Sequence, residues 1–184
     1  IKAGYTSVMY DGSQLPIEEN IKNTKEVLRV AKPCNVTVEA EIGSVAYSDK
    51  NLEVKSVYTE PEEAEYFAKE TEVDALAVAI GTLHRMEVQE AEIQYDRLKE
   101  ITKLINIPIV IHGSTGVKDE DLQKLTKYNV GKINIGTALR MAFTNTLREE
   151  MIKNPNEFDR VKLFRKPMEE VKKTAIDKMK LLGW

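Results

Sequence analysis

The chain has 184 residues, of which 42% are hydrophobic and 31% charged, with 27 basic and 30 acidic side chains for a formal net charge of −3. That length suits a single domain over residues 1–184, and the near-balance of charge leaves no global field to recruit nucleic acid or an anionic membrane. The longest apolar runs, Ala75–Ile80 and Ile107–Ile111, are far too short to span a bilayer, no signal peptide is visible, and the single Cys34 cannot form an internal disulfide, so a cytoplasmic location is expected.

The chain opens Ile1-Lys2-Ala3-Gly4 and runs directly into the apolar stretch Tyr5–Tyr10. The glycine is placed like the C-terminal stop of a helix, and there is no initiator methionine, so the sequence reads as starting inside an element. Tyr5–Tyr10 is the first strand, followed by a helix over Ile17–Ala31 with Glu18, Glu19 and Asn20 in its first turn. Cys34, after Pro33 and just before the next strand, reads as a buried, inert thiol. Val36–Ile42 is the second strand. After the long polar connection Ser44–Thr59, whose length suits a lid, comes a helix over Pro61–Thr71. Its proline at the first turn, with Glu62 and Glu63 beside it, matches the positive end of the helix dipole. Ala75–Ile80 is apolar throughout, as a strand buried on both faces should be, and Ile93–Ile105 is the helix after it. Ile107–Ile111 and Val130–Ile135 are the last two strands, with Asp119–Tyr128 between them. Leu139–Ile152 and about Arg165–Leu182 are the closing helices.

Strict alternation of strand and helix implies parallel strands joined by right-handed crossovers. Five such βα units form either an open doubly wound parallel sheet or part of a closed barrel. A (β/α)8 TIM barrel takes roughly 250 residues, and a start in mid-element leaves room for three more units. The α/β barrel, present as its last five βα units, is therefore the expected fold, with the open doubly wound sheet as the alternative.

Function in parallel α/β folds gathers at the carboxyl ends of the strands. Those ends carry, in order, Asp11, Glu41, His84, His112 and Asn134, which include both histidines of the chain. Period-two alternation in the second strand puts Thr37, Glu39 and Glu41 on one face. Carboxylates there need a partner or a metal. Glu39 is read as a structural partner of Lys132, whereas Glu41, nearest the strand end, is divided evenly between structure and function. A lone histidine would be read as a core residue, but two at equivalent ends of neighbouring strands favour a divalent metal site of the kind zinc occupies. The segments His112-Gly113-Ser114-Thr115-Gly116 and Asn134-Ile135-Gly136-Thr137 have small residues and precede helices, which suits an anion clamp.

Ser7-Val8-Met9-Tyr10-Asp11-Gly12-Ser13, Val38-Glu39-Ala40-Glu41-Ile42-Gly43, Asp74–Thr82 and Lys132-Ile133-Asn134-Ile135 resemble, in order, the class II fructose- and tagatose-bisphosphate aldolases. The resemblance implies a barrel with Zn(2+) as cofactor, held by three histidines, of which His84 and His112 match two. Asp11 and Glu41 match carboxylates of an alternative or second metal position. Gly113, Thr115, Asn134 and Thr137 match positions that hold the substrate phosphate or the dihydroxyacetone unit. The third histidine and the catalytic aspartate are expected on an earlier strand, so no catalytic acid–base residue is expected in this stretch, which alone should be inactive. The implied reaction is reversible aldol cleavage of fructose or tagatose bisphosphate to dihydroxyacetone phosphate and an aldehyde phosphate, by a homo-oligomer. The alternative is a non-catalytic relative that binds phosphosugar or metal. Departures from the family pattern are Gln14 for histidine, Arg85 for glycine, Ser114 for glycine, Thr115 for serine, Gly136 for aspartate and Ala138 for an acid. Ser44–Asn51 has no clear counterpart of the family's glycine-rich acidic loop.

Overall fold

The computed structural model describes residues 1–46 and 57–183. Its sheet has five parallel strands in the strictly sequential order β1 to β5: Ser7–Asp11, Thr37–Ile42, Ala75–Val78, Ile109–Ile111 and Val130–Ile133. This order decides between the two expected folds. A doubly wound sheet must reverse direction at a switch point, whereas here every crossover moves on to the next strand. Crossovers of one hand taken in one direction put all helices on one face, as in the wall of a barrel.

The two faces of the sheet differ accordingly. Val38, Ala40, Ile42, Leu76, Val78, Ile109 and Ile111 join one apolar core with helix residues. Helix α1 (Ile17–Ala31) contributes Ile21, Leu28 and Ala31, with the buried Thr24 on the same stripe. Helices α2 (Pro61–Thr71), α3 (Tyr95–Leu104) and α4 (Asp119–Leu125) add Phe67, Leu98, Ile101, Leu122 and Leu125 from similar three- and four-residue spacings. Each such side chain, fully buried, stabilises the fold by about 1.5–3 kcal/mol. The opposite face carries Met9, Glu39 and Ala75 in one register row and Ala77, Val110 and Lys132 in another.

Several element limits differ from the sequence expectation for identifiable reasons. β3 ends at Val78 because the Ala79 N–H donates to Thr59 Oγ1 (2.9 Å), while that hydroxyl donates to the Ile42 carbonyl (2.7 Å). Thr59 thus fills the gap where β2 and β3 part. β4 starts at Ile109, since Pro108 has no N–H for the ladder. Helix α5 (Thr137–Lys153) starts two residues early, and α6 (Arg160–Leu181) five. Asp159 caps α6 by accepting from the Val161 N–H at 2.9 Å, and the helix runs on through a buried Pro167. Cys34, expected to be buried, is exposed: it ends a 3-10 turn that leaves α1 at the surface, and Asn35 turns the chain at φ 55° before β2 enters the sheet. The middle of the Ser44–Thr59 connection, and with it the lid expectation and most of the Ser44–Asn51 comparison, lies outside the described residues. Among the described residues no helix is long and apolar enough to cross a membrane.

Candidate active site

The carboxyl ends of the strands bring the two histidines together. His84 follows β3 and His112 follows β4, and their rings meet edge to face with centroids 6.1 Å apart and planes at 83°. The β3 loop is delivered there by close backbone packing. Gly113 sits at φ 66°, and a Cβ on it would come within 2.7 Å of the Leu83 carbonyl oxygen. The His84 N–H donates to the Ala46 carbonyl at 2.8 Å. The β4 and β5 loops are tied in the same way, because the Asn134 N–H donates to Ile111 (2.9 Å) and the Ser114 N–H to Asn134 (3.3 Å).

Glu39 makes two contacts, one of them unexpected. Lys132 Nζ donates to its Oε2 at 2.5 Å, the pair anticipated from the sequence. Its Oε1 lies 2.9 Å from His112 Nε2. Burial pushes the Glu39 carboxyl up, but the hydrogen bonds from His112 and Lys132 outweigh it and hold the group below the ordinary carboxylate range. An ionised carboxylate accepts only, so the His112 proton belongs on Nε2. The lone pair of neutral His112 is then on Nδ1, 3.4 Å from Asn134 Nδ2. Alternation of β2 indicates that Glu39 shares its face with Glu41, but its reach across to a histidine 73 residues later is a tertiary fact.

Asp11 and Glu41 are register partners at the ends of β1 and β2. Burial first, and then the charge of Asp11, raise Glu41 to about 7. A cation beside this pair would restore the carboxylate form. Burial and then His112 lower the His84 imidazole, against Asp11, so it is neutral near pH 7, the form that binds metal. The chemistry of His84, His112, Asp11 and Glu41 therefore suits a divalent cation. Among the described residues, however, no three His, Cys, Asp or Glu side chains stand close enough to complete a metal site. The residues fit as part of a ligand set.

Beside the histidines lies a cavity of about 360 Å³. Of the expected substrate positions, Gly113, Thr115, Asn134 and Thr137 all line it, together with His84, His112, Ser114 and Gly136. Asp11 and Glu41 do not. Two arginines complete the wall, Arg85 and Arg140. Arg140 escaped the sequence reading, although a cation in the first turn of a helix, against its dipole, was a usable signal. Thr115 Oγ1 accepts from the Ala138 N–H at 3.1 Å, so that amide of the α5 start is already engaged. Chemically the cavity offers backbone amides, hydroxyls and two guanidinium groups next to paired imidazoles. That combination suits an anion held beside the histidines.

Comparison with known proteins bears on the same residues. The family described as Fructose-bisphosphate aldolase class-II matches residues 1–184. The chain is 37% identical to a fructose-bisphosphate aldolase of Geobacillus stearothermophilus, over 100% of its own length and 64% of the relative's. It is 37% identical to a 6-phospho-5-dehydro-2-deoxy-D-gluconate aldolase of Shouchella clausii, covering 100% of the chain and 62% of that relative. It is 40% identical to a sulfofructosephosphate aldolase of Alkalicoccus urumqiensis over 86% of the chain and 56% of the relative. The chain thus spans less than two thirds of each relative's length. Among solved structures, the YdjI aldolase of Escherichia coli superposes with a TM-score of 0.79 at 32% identity, over 99% of this chain and 61% of that one. A fructose-bisphosphate aldolase of Campylobacter jejuni, 22% identical, shares the fold with a TM-score of 0.78 over 96% of this chain and 60% of that one.

Proposed function

This chain belongs to the class II fructose-bisphosphate aldolase family, with five consecutive βα units of its barrel, and we propose that the full-length protein is a zinc-dependent aldolase. Its reaction is the reversible cleavage of a ketose bisphosphate, fructose or tagatose bisphosphate, into dihydroxyacetone phosphate and an aldehyde phosphate. The observation that carries this reading is the placement of His84 and His112, ring edge to ring face, beside a cavity whose wall is built for an anion. The three relatives are named for three different phosphorylated compounds, and all three names are those of aldolases. Similarity therefore points to aldol chemistry on a phosphorylated compound and does not select the ketose. A cytoplasmic location, from the single cysteine, and assembly into homo-oligomers, from the family, belong to the same proposal.

In this mechanism His84 and His112 would hold the zinc, with Asp11 and Glu41 at the ends of the two preceding strands as further candidate ligands. The bound ion would act as a Lewis acid that polarises the ketose carbonyl. Glu39 and Lys132 fix the His112 ring and keep its Nδ1 lone pair turned away from Glu39. Gly113, Thr115, Asn134 and Thr137 hold the phosphate, so the carbon–carbon bond to be broken rests against the imidazole pair. Cleavage also releases the proton of the hydroxyl that becomes the aldehyde. Among the described residues no carboxylate lines the cavity, so the base that takes this proton is expected elsewhere.

The test is retro-aldol turnover by the full-length protein with and without added zinc, followed by capture of the aldehyde product. Zinc-dependent release of dihydroxyacetone phosphate is expected. Phosphosugar binding with no turnover at any zinc concentration would instead establish a non-catalytic relative.

A further inference from the structure

We infer that Gln89 is a positioning residue for His84: it fastens the loop that carries this histidine to the start of α4, so that two walls of the cavity keep their spacing. This rests on the reading of His84 as a metal ligand and adds to it the contact that keeps the ligand in place.

The loop after β3 is closed at its neck. The Gln94 N–H donates to the Ile80 carbonyl at 2.9 Å, so residues 81–93 leave the sheet and return to the same point. A surface loop whose ends meet is held in shape by its own packing. Its side chains divide in use. His84 and Arg85 line the cavity, Met86 and Ala91 are buried, and the tip, residues 87–90, is exposed. The buried pair seats the loop on the 3-10 turn Ser114–Gly116, which supplies Ser114 and Thr115 to the facing wall. The Ala91 N–H donates to the Gly116 carbonyl at 2.9 Å. Met86 lies over Gly116 so closely that a Cβ there would come within 2.2 Å of the Met86 sulfur.

Gln89 adds the polar anchor to this seat. Its Nε2 donates to the Val117 carbonyl at 3.1 Å and to Asp119 Oδ1 at 2.9 Å. A carbonyl and an ionised carboxylate only accept, so the amide must turn its nitrogen toward them, and both of its hydrogens are used. The same carboxylate oxygen accepts from Lys178 Nζ of α6 at 2.5 Å. Ordering a glutamine at an exposed loop tip costs side-chain entropy, which two hydrogen bonds, one of them to a charged acceptor, offset. The return on that cost is at the other side of the loop. Met86 and Gln89 bind one side of it to the segment 116–119, and His84 stands next to Met86 in the chain, facing the cavity. Gln89 thereby fixes where His84 stands relative to His112, without touching either ring.

The experiment measures the zinc affinity of the full-length protein by competition against a fluorescent chelator, below every melting transition. It compares wild type, Gln89→Met, Gln89→Glu and Lys178→Met, and records the melting temperature of each. Gln89→Met keeps the length of the side chain and removes both donations, so zinc binding should weaken about 10-fold, the scale of a hydrogen bond to a charged group. Gln89→Glu sets an oxygen against two acceptors and should weaken it at least as much. Lys178→Met leaves Gln89 both of its acceptors, so its melting temperature should fall while zinc affinity stays at the wild-type level. A merely structural network predicts instead that affinity follows melting temperature in all three variants. Wild-type zinc affinity in Gln89→Met, or an equal loss in Lys178→Met, overturns the inference and leaves the metal reading of His84 standing. Gln89→Glu decides in the same way if Gln89→Met does not fold. Wild-type protein that binds no zinc overturns the metal reading and this inference together.

Discussion

At the scale of single residues, the site depends on groups that hold the histidines as much as on the histidines themselves. Glu39 is 5% exposed and spends both oxygens on named partners, His112 and Lys132. Replacing it with glutamine keeps the shape but removes the charge that fixes the His112 tautomer. Outer partners of metal-bound histidines are commonly worth 10- to 100-fold in metal affinity, so Glu39→Gln should weaken zinc binding by about that factor. Competition against a fluorescent chelator in the full-length protein measures it, and unchanged affinity would mean the Glu39–His112 contact has no bearing on metal. Gly113 is the second such residue. At φ 66° with the Leu83 carbonyl where a Cβ would sit, Gly113→Ala must strain the backbone and push away the loop that carries His84. The expectation is a loss of about 1–3 kcal/mol in stability, with KM for the phosphorylated substrate raised. Urea unfolding and steady-state kinetics of the same variant check the two parts.

At the scale of elements, the helices are held by one apolar stripe each and joined to one another by a few polar contacts. Phe67 carries the α2 stripe into the core with 0% exposure, and Phe67→Ala should cost about 3–5 kcal/mol in unfolding free energy. The closing helices differ. Phe143 of α5 and Phe164 of α6 pack edge to face at 5.4 Å, and Lys166 pairs with Glu150 at 2.9 Å, so these two helices hold each other. The polar link between α6 and α4 is Lys178 to Asp119, with Gln89 on the same carboxylate oxygen. Hydrogen bonds from Lys178 first and Gln89 second hold Asp119 below the ordinary aspartate range. A lowered carboxyl contributes stability that is complete above its unfolded pKa and is lost as pH falls through its folded one. Asp119→Asn should therefore be less stable than wild type at neutral pH by up to about 1 kcal/mol, as suits an exposed pair. Below the folded pKa of Asp119 that difference should vanish. Melting curves of both proteins across the acid range show whether the gap closes; a gap that stays constant with pH would exclude the ion pair as its source.

For the whole molecule, the sequential strand order leaves β1 and β5 each paired on one side among the described residues. Parallel strands are seldom left with an open edge, because the unpaired N–H and C=O groups template association. Met9 on β1 adds exposed apolar surface at one of these edges. Produced by itself, the 184-residue chain is therefore expected to associate or aggregate, and to turn over no ketose bisphosphate. Size-exclusion chromatography with light scattering tests the first expectation and a coupled retro-aldol assay the second. A monodisperse, active monomer would contradict both.

The sequence alone determined the alternation of strands and helices, because three- and four-residue apolar spacing and short β-branched runs are local properties. It likewise placed His84, His112 and Asn134 at strand ends, since a strand's end is readable from where its apolar run stops. The Glu39–Lys132 pair also followed, from the cost of burying a lone carboxylate on a period-two face. What only the tertiary structure decided was which ends are neighbours. Strand order made the sheet singly wound, and only that order sets Glu39 against His112 and Arg85 with Arg140 around one cavity. These pairs lie far apart in the chain, and no periodicity reports a distance across a sheet. The exposed Cys34 and the early start of α6 were missed for a related reason. A thiol before a strand and a proline within a helix have no fixed meaning until it is known what packs against them.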